Sequence, residues 1–307
     1  MVIDDARTFL ARYFEPTPLV RSESLSIPGR SVFLKNETVL PTGSFKVRGA
    51  LYALSVTLAR CSVREVVAAS TGNHGAAVAY AGAQLGVPVR IFLPVGANVV
   101  KAARIRDLGA TLVEAGDDLS DAIDVATEYV AHEDAFFLHD ASNPDIPAGT
   151  ATIGAEICEQ CPTVDRVYVP MGDTALIRGV ATAIRLTGRP VHIIGIVAAS
   201  APAYALSWQT GTVVETATAH TIADGLAVRS PLQPNVEAIR TLVDTVMMVS
   251  EQEMLDAIVW LRAHDGLVAE PAAAASVAAL RKDEARPGTS VALVTGRNLA
   301  PDVANRL

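Results

Sequence analysis

Short apolar runs alternate along the chain with alanine-rich stretches that have helical spacing. Residues 66–69, 89–93 and 192–197 are mostly apolar on both strand faces, which predicts buried strands. Residues 76–85 and 176–186 carry apolar side chains three and four positions apart, which predicts helices. Strands that alternate with helices through short loops indicate an α/β protein whose parallel sheets have helices on both faces.

The same pattern predicts more strands than one small sheet can hold. Further strands are predicted at residues 111–113, 166–169 and 291–294, and further helices at residues 50–58, 101–108 and 153–160. We therefore expect two open sheet-based lobes with a cleft between them. Because no repeat, low-complexity tract or Pro- and Ser-rich linker separates the lobes, we expect them to pack closely.

Composition and charge narrow the function classes. Hydrophobic residues make up 50% of the 307 residues and charged residues 19%, which excludes a disordered chain. The formal net charge of −8 argues against a nucleic-acid partner, because a nucleic-acid groove needs a basic surface. Residues 66–89 carry no formal charge but include Asn73 and His74, which indicates a strand, a loop and a helix rather than a membrane span.

Cysteine usage and the first residues favour a cytoplasmic protein. Three cysteines are too few for a disulfide framework. Residues 1–5 lack the basic and apolar regions of a secretory signal peptide. Cys158 and Cys161 form a CxxC pattern, but it ends a predicted helix rather than starting one, and no further metal ligands have the required spacing. We expect neither a redox motif nor a zinc site there.

Lysine is scarce in this chain, and one lysine lies in a setting that suggests chemistry. The four lysines are Lys35, Lys46, Lys101 and Lys282. Lys46 lies between turn residues 41–44 and the predicted helix at residues 50–58. A desolvated lysine can lose its proton and attack a carbonyl carbon, which arginine cannot do. Lys46 is therefore a candidate Schiff-base lysine, and the alternative is a solvated residue at a helix start.

Two turns between a predicted strand and a predicted helix are rich in small residues. The first, residues 70–75, offers hydroxyl, amide and imidazole groups that could bind a carboxylate at a helix start. The second, residues 172–175, could bind a phosphate unless the Asp173 carboxylate faces inward. Each could equally be an ordinary helix start. Thr295 follows the predicted strand at residues 291–294, at the edge where open α/β sheets bind ligands.

Seven segments resemble, in their order along the chain and in their spacing, the serine/threonine dehydratase and serine racemase branch of the fold-type-II pyridoxal-phosphate enzymes. The resemblance covers nearly the whole chain. Its segments are residues 35–37 with 41–50, 70–75, 148–149 with 152–153, 170–176, 221–225, 270–271 and 295–298. It implies a tryptophan-synthase-β-like α/β fold with two open sheet-based lobes and pyridoxal 5′-phosphate in the cleft between them.

The resemblance also implies three groups of site residues. Catalysis would depend on Lys46, which would bind the cofactor covalently, and on Thr71. Further cofactor contacts would come from Phe45, Asn73, Asn143, Gly172, Asp173, Thr174, Ala175, Glu270 and Thr295. The substrate would be bound by Ser70, Thr71, Asn73 and His74.

The residue expected to face the pyridine nitrogen, Thr295, bears on the reaction type. A carboxylate at this position would keep the nitrogen protonated, whereas a hydroxyl does not, so elimination competes well with transamination. We expect an ammonia-lyase that converts a β-hydroxy amino acid such as L-threonine or L-serine, or a bulkier one such as phenylserine, to a 2-oxo acid and ammonia. The alternatives are an amino acid racemase, because Thr71 stands where serine racemases carry their second acid–base residue, and a degenerate cofactor-binding relative.

Three further expectations concern the domains, metals and the phosphate loop. The resemblance implies a homodimer, with a large cofactor-binding domain at residues 1–65 and 144–307 and a small domain at residues 66–143. Some relatives bind a divalent cation after the strand that ends near Val197, but residues 197–203 contain no carboxylate, so we expect no metal. We expect Asp173 to face away from the phosphate and cap the next helix, leaving Thr174 and backbone N–H groups to contact the anion.

Overall fold

The computed structural model describes residues 3–283 and 286–307. These residues form two compact units, which are described separately. Unit 1 contains the described residues up to Tyr13 together with Lys46–Gly149. Unit 2 contains Phe14–Phe45 and the described residues from Thr150 onward. The chain therefore passes from unit 2 to unit 1 at the bond between Phe45 and Lys46.

The strands follow the predicted alternation closely. In the described part of the chain they are β1 (Leu19–Arg21), β2 (Arg30–Asn36), β3 (Glu65–Ala69), β4 (Val89–Leu93), β5 (Thr111–Glu114), β6 (Ala135–Phe137), β7 (Val164–Pro170), β8 (His192–Ala198), β9 (Thr245–Val249) and β10 (Gly288–Val294). Each strand predicted from its apolar run is present. The strands β1, β2, β6 and β9 lie outside the predicted set.

The helices begin earlier than their apolar spacing predicts. The described helices are α1 (Ile3–Leu10), α2 (Lys46–Arg60), α3 (Asn73–Leu85), α4 (Val99–Asp107), α5 (Leu119–His132), α6 (Ile146–Gln160), α7 (Ala175–Leu186), α8 (Ala203–Thr210), α9 (Gln233–Leu242), α10 (Glu251–Trp260), α11 (Pro271–Lys282) and α12 (Pro301–Ala304). Short 3-10 turns lie at Glu37–Val39 and Asp224–Leu226, and a π-helical turn lies at Leu261–Asp265.

Unit 1 contains a four-stranded parallel sheet in the order β5-β4-β3-β6. The central strand β3 is apolar on both faces, and its residues Val66, Val67 and Ala68 are fully buried. Helix α5 covers the sheet through Ala122 and Ala126, which pack in one apolar cluster with Val67. A parallel sheet covered by helices requires such apolar strands, since neither face meets water.

Unit 2 contains a six-stranded sheet in the order β1-β2-β10-β7-β8-β9. Only β1 runs antiparallel to its neighbour, and the other neighbouring pairs are parallel. The carboxyl ends of β10 and β7 therefore lie side by side at one edge of the sheet. Thr295 follows β10 and Gly172 follows β7, so the sheet brings these two predicted cofactor residues to the same edge.

The compact units differ from the expected domains at their boundaries. The expected small domain, residues 66–143, forms the middle of unit 1. Helix α2 also belongs to unit 1, because it packs along α3. Gly149 marks this close packing: a Cβ there would overlap the backbone of Arg48 in α2. The division into a large and a small domain stays a prediction.

The three cysteines are free thiols. Cys158 lies inside α6 and Cys161 directly follows this helix, as the sequence predicts. Burial raises the pKa of the Cys158 thiol. A raised pKa disfavours the thiolate, which is the reactive form, so Cys158 lacks the environment of a reactive thiol.

Candidate active site

Lys46 is the first residue of α2, and it lies beside a carboxylate. Its Nζ is 2.9 Å from Oδ2 of Asp140, and the two side chains are 15% and 29% exposed. The turn before the helix depends on Gly43, whose φ of 63° lies in the left-handed region that favours glycine. The sequence analysis identified Lys46 but missed Asp140, because nothing in the sequence relates residues so far apart.

Two of the other lysines belong to ion pairs of unit 2. Lys35 is fully buried, and its Nζ donates to Glu156 Oε2 at 2.6 Å, to the Thr17 carbonyl at 2.7 Å and to Gln160 Oε1 at 2.9 Å. Lys282 lies on the surface 3.0 Å from Glu253. An ammonium group surrounded by three acceptors is held in its charged form, so Lys35 is unsuited to attack a carbonyl carbon.

Small residues shape the loop between β3 and α3. The Ser70 hydroxyl accepts the N–H of Gly72 at 3.1 Å. A Cβ at Gly75 would lie 2.7 Å from the Ser70 carbonyl oxygen, so glycine allows the helix to start this close to the strand. Ser70, Thr71 and Asn73 are half-buried, which leaves part of each side chain accessible. The helix begins at Asn73, and its first N–H groups point back toward this loop.

His74 and Asn143 are buried and support the backbone of unit 1. The His74 Nε2 is 2.8 Å from the Leu138 carbonyl oxygen, so this nitrogen carries the hydrogen and donates it. The Asn143 Oδ1 accepts the N–H of Asp145 at 2.9 Å. The His74 Nε2 and the Asn143 Oδ1 are thus already bonded within the protein. The predicted substrate contact of His74 and cofactor contact of Asn143 would therefore involve other atoms of these residues.

In unit 2, the segment before Lys46 is joined to the end of β10. The N–H of Phe45 donates to the Thr295 carbonyl at 2.9 Å, and Ser44 forms an isolated β-bridge with Gly296. The Phe45 ring packs at the border of the apolar cluster of this unit. Ser44 Oγ is fully buried without a hydrogen-bond partner among the described residues. Such a hydroxyl is uncommon in a folded protein, and it can form a hydrogen bond with a bound group.

The loop between β7 and α7 contains the residues predicted to hold a phosphate. A Cβ at Gly172 would overlap the carbonyl oxygen of Gly225, so these two glycines pack closely. The Asp173 Oδ1 accepts the N–H of Ala175, the first residue of α7, at 3.0 Å. Thr174 has a φ of 72°, and it is the one non-glycine residue with positive φ in the described chain. For a β-branched residue this conformation is strained, and such strain is concentrated at functional sites.

Arg178 adds a positive charge to this loop. Its Nε donates to the Thr174 hydroxyl at 3.0 Å, across one turn of α7. Burial lowers the pKa of the Arg178 guanidinium, and the negative charge of Asp173 opposes this shift. An arginine remains protonated even so. The sequence analysis missed Arg178, although an arginine four residues after Thr174 must lie on the same side of the helix.

Glu270 is buried where α11 begins. Its Oε2 accepts the N–H of Asn298 at 3.1 Å, and its backbone N–H donates to the Gly296 carbonyl at 2.9 Å. A Cβ at Gly296 would lie 2.5 Å from Glu270 Oε1. Glycine at this position therefore allows the carboxylate to lie against the backbone directly after Thr295.

A family model described as pyridoxal-phosphate dependent enzyme matches residues 10–296. The chain belongs to this family. The expected family, the fold class of two open sheets and the cofactor, pyridoxal 5′-phosphate, are thereby confirmed.

Individual relatives indicate the branch of the family to which the chain is similar. The chain is 36% identical to the L-threonine ammonia-lyase of Geobacter sulfurreducens over 304 residues, which cover 97% of this chain and 75% of the relative. It is also 36% identical to the catabolic L-threonine dehydratase TdcB of Escherichia coli K12 over 284 residues, 91% of this chain and 86% of the relative. The expectation of a pyridoxal-phosphate-dependent lyase is confirmed.

Solved structures support the same assignment. A threonine deaminase from T.th. has a TM-score of 0.90 and 30% identity, covering 96% of this chain and 97% of that one. The maize serine racemase has a TM-score of 0.92 and 26% identity, covering 99% of this chain and 94% of that one. Both branches that the sequence resembles thus share this fold.

The residues of each unit fit the chemical groups of pyridoxal phosphate. Unit 1 offers the amine of Lys46 for the aldehyde and the half-buried amide of Asn73 for a ring substituent. Unit 2 offers the buried Ser44 hydroxyl, the Thr295 hydroxyl and the start of α7, where N–H groups and Arg178 suit a phosphate. The roles of the individual site residues stay predictions.

No helix in residues 3–283 or 286–307 is long and apolar enough to span a membrane. No cluster of three or more potential metal-binding side chains occurs among the same residues.

Proposed function

We propose that this protein is an L-threonine ammonia-lyase that converts L-threonine to 2-oxobutanoate and ammonia. The observation that supports L-threonine as the substrate is the 36% identity to an L-threonine ammonia-lyase over 97% of this chain. The site residues support elimination, because the group after the central strand β10 is the hydroxyl of Thr295 rather than a carboxylate. L-Serine is the second expected substrate, and the bulkier phenylserine the third.

The chemistry needs a base, a carboxylate site and an electron sink. When bound, pyridoxal phosphate withdraws electrons from the Cα of the amino acid. The Lys46 amine takes the Cα proton, and the resulting ammonium group returns a proton to the hydroxyl, which leaves Cβ as water. The enamine released then tautomerises and reacts with water to give the 2-oxo acid and ammonia.

Residues of the loop between β3 and α3 bind the substrate carboxylate in this proposal. The hydroxyls of Ser70 and Thr71 and the first N–H groups of α3 are all donors, and a helix N-terminus favours an anion. His74 contributes its backbone N–H, since its Nε2 is bonded to Leu138. Asn73, at the helix start, serves both the substrate and the cofactor ring.

The start of α7 holds the cofactor phosphate in this proposal. The donors are the backbone N–H groups of the loop and the Thr174 hydroxyl, whose hydrogen is not used by its bond with Arg178. The Asp173 carboxylate caps Ala175, and the Arg178 guanidinium balances its charge. Gly172 allows the loop to approach Gly225 closely, and Glu270 and Phe45 lie near the cofactor ring.

The test is a substrate panel with the purified holoenzyme. L-Threonine, L-serine, L-threo-phenylserine and the D-enantiomers of threonine and serine are incubated separately, and 2-oxo acid and ammonia are measured. We expect L-threonine to give both products in equal amounts at the highest rate, and Lys46→Ala to give neither. Release of 2-oxo acid from none of the five compounds would refute the proposal.

Racemisation is the second candidate function, because Thr71 has a half-buried hydroxyl beside the predicted substrate site. Chiral analysis of the amino acid recovered from each incubation separates the two activities. We expect the recovered threonine and serine to keep their configuration. Accumulation of the D-enantiomer faster than the 2-oxo acid would make the protein a racemase.

We also propose a cytoplasmic homodimer. The resemblance implies the dimer, and three free cysteines are typical of a reducing compartment. Sedimentation at working concentration should give twice the 32.2 kDa of one chain. A species with the mass of a single chain would contradict the dimer, and fractionation that finds the protein outside the cytoplasm would contradict the compartment.

A further inference from the structure

The ion pair between Lys46 and Asp140 joins the candidate base to a carboxylate that no sequence motif singles out. The Nζ to Oδ2 distance of 2.9 Å is that of a charged hydrogen bond. Both residues belong to unit 1, and Asp140 lies in the segment between β6 and α6. The carboxylate is only partly exposed, so water screens it incompletely.

The neighbouring histidine does not neutralise this carboxylate. The Nδ1 of His139 lies 3.7 Å from Asp140 Oδ1. The same nitrogen accepts the N–H of Ala141 at 3.1 Å, so it does not donate to Asp140 in this arrangement. The negative charge of Asp140 is therefore available to Lys46.

Lys46 must be neutral in one step of the proposed function and becomes charged in another. To bind the cofactor aldehyde, the ammonium group loses one proton to solvent, its nitrogen forms a double bond to the aldehyde carbon, and the aldehyde oxygen leaves as water. During turnover, the neutral amine takes the Cα proton of the substrate and becomes an ammonium group. A carboxylate at hydrogen-bond distance favours the charged form in both steps.

We propose that Asp140 is a positioning residue that acts as the counter-ion of protonated Lys46. It opposes the covalent capture of pyridoxal phosphate, because only the uncharged amine can attack the aldehyde and Asp140 stabilises the ammonium form. It assists proton removal from the substrate, because that step creates the same charge. This inference rests on the proposed function, and it predicts effects of opposite sign on two rates of one protein.

The test compares Asp140→Asn with the wild type and with a matched control. Asn keeps the size of the side chain and removes its charge. The control, Asp145→Asn, removes a carboxylate from the same segment that is 2.8 Å from the exposed Arg60 and does not contact Lys46. Each full-length protein is stripped of cofactor and mixed with pyridoxal phosphate at neutral pH, and the lysine bond is trapped with borohydride and quantified by mass. Turnover of L-threonine is measured with the reloaded proteins.

We expect Asp140→Asn to capture the cofactor about tenfold faster and to turn over threonine about tenfold more slowly, the factor that corresponds to about 1.4 kcal/mol. Asp145→Asn should change neither rate by more than about twofold, as is usual for a partly exposed ion pair. Asp140→Glu, which restores the charge, should return both rates toward the wild-type values.

A structural defect would lower both rates together, and an uninvolved residue would change neither, so either result overturns the proposal. If Asp140→Asn does not fold, as judged by circular dichroism, Asp140→Ser is measured under the same criteria. The capture rate needs no substrate. A capture rate equal to that of the wild type therefore overturns the inference even if the proposed function holds, and a failure of threonine turnover in the wild type refutes the function without affecting the capture test.

Discussion

The hydroxyl of Thr174 and the guanidinium of Arg178 are joined by a hydrogen bond of 3.0 Å across the first turn of α7. This bond lies at a residue with left-handed backbone, where a side chain with a Cβ is disfavoured by about 1–2 kcal/mol. The contact with Arg178 offsets part of this cost. The start of α7 therefore combines strain, a hydroxyl and a positive charge in one turn.

Substitution of Thr174 by Gly and by Ala should measure the strain. Both variants lose the bond to Arg178, but only Ala keeps a Cβ in the left-handed conformation. We expect Thr174→Ala to be about 1 kcal/mol less stable than Thr174→Gly, as judged by the free energy of unfolding in urea.

Thr187, at the other end of α7, is the matched control. Its φ of −73° is ordinary, and its hydroxyl is lost in both variants as well. There the order should reverse, with Ala about 0.5–1 kcal/mol more stable than Gly. The same order at both positions would contradict a strained Thr174.

Asp173→Asn should change the affinity for pyridoxal phosphate by less than about tenfold, because Asn caps a helix nearly as well as Asp. The Asn side-chain oxygen can accept the N–H of Ala175 as Asp173 does. Fluorescence titration of the cofactor-free protein gives the dissociation constant. Binding tightened a hundredfold would mean that the carboxylate faces the phosphate and repels it. A variant that binds the cofactor normally but loses one class of substrate would assign Asp173 to substrate recognition.

Lys46→Ala should lower threonine turnover by about a thousandfold or more, because the base and the covalent attachment are lost together. Borohydride reduction of the holoenzyme should place the cofactor label on the peptide that contains Lys46. Lys282→Ala removes a surface lysine paired with Glu253 and should retain activity. A label on Lys35, Lys101 or Lys282 would refute the assignment of Lys46.

The sheets and the motif-bearing loops could be predicted because their signal is local. The strand predicted at residues 89–93 coincides with β4, and the predicted loops at residues 70 and 172 connect a strand to a helix. Helix starts were less predictable. The helix predicted from residue 153 begins at Ile146 and contains Gly149, a residue that helices disfavour but that close packing on Arg48 requires here. Only tertiary contacts show that a glycine is required by close packing rather than by a turn.

The site was predictable where a motif carries it and not where distant residues meet. Lys46 stands in a recognisable segment, whereas Asp140 reaches it from a segment far along the chain. The bond between His74 and Leu138 is likewise a long-range contact that no local pattern encodes. Sequence analysis therefore identified candidate ligands but did not identify which of their atoms are already bonded.

Asp244 should give the fold an acid-sensitive contribution. Burial raises its pKa, but hydrogen bonds from the Ile193 N–H and from Arg185 outweigh this, and the net pKa is lowered from 3.8. A lowered pKa means that the ionised carboxylate stabilises the folded state, and this stabilisation is fully present above about pH 4. It is lost as the pH falls through the pKa that Asp244 has in the folded state.

We expect Asp244→Asn to be about 1 kcal/mol less stable than the wild type at neutral pH, a modest value because the side chain is about one-third exposed. The difference should shrink toward zero as the pH is lowered below about 4 in urea titrations. As a control, Asp256→Asn removes an exposed carboxylate that accepts a hydrogen bond from Gln252, and it should change the stability at neutral pH by less than about 0.5 kcal/mol. If Asp244→Asn and the wild type differed in stability by the same amount at neutral pH and below about pH 4, the charge of Asp244 would not be the cause of the difference.

Lys35→Met should destabilise the protein by about 3–5 kcal/mol, because it leaves the buried carboxylate of Glu156 without its cation. The double variant Lys35→Met/Glu156→Met removes both charges and should recover most of this loss. Urea unfolding of the single and double variants tests this directly. A double variant no more stable than Lys35→Met would show that the pair is not coupled.

The position of β10 determines the order in which the two sheets can form while the chain is being synthesised. Strand β2 ends at Asn36, but β10, which lies between β2 and β7, begins only at Gly288. The antiparallel pair of β1 and β2 therefore lacks its neighbour β10 until almost the whole chain has been synthesised. All four strands of the sheet of unit 1, in contrast, have been synthesised once the chain reaches Phe137. A two-stranded ribbon has little stability of its own, and exposed strand edges promote aggregation. Nascent chains that stop before residue 288 should hold a protease-resistant unit 1 beside a protease-sensitive N-terminal ribbon.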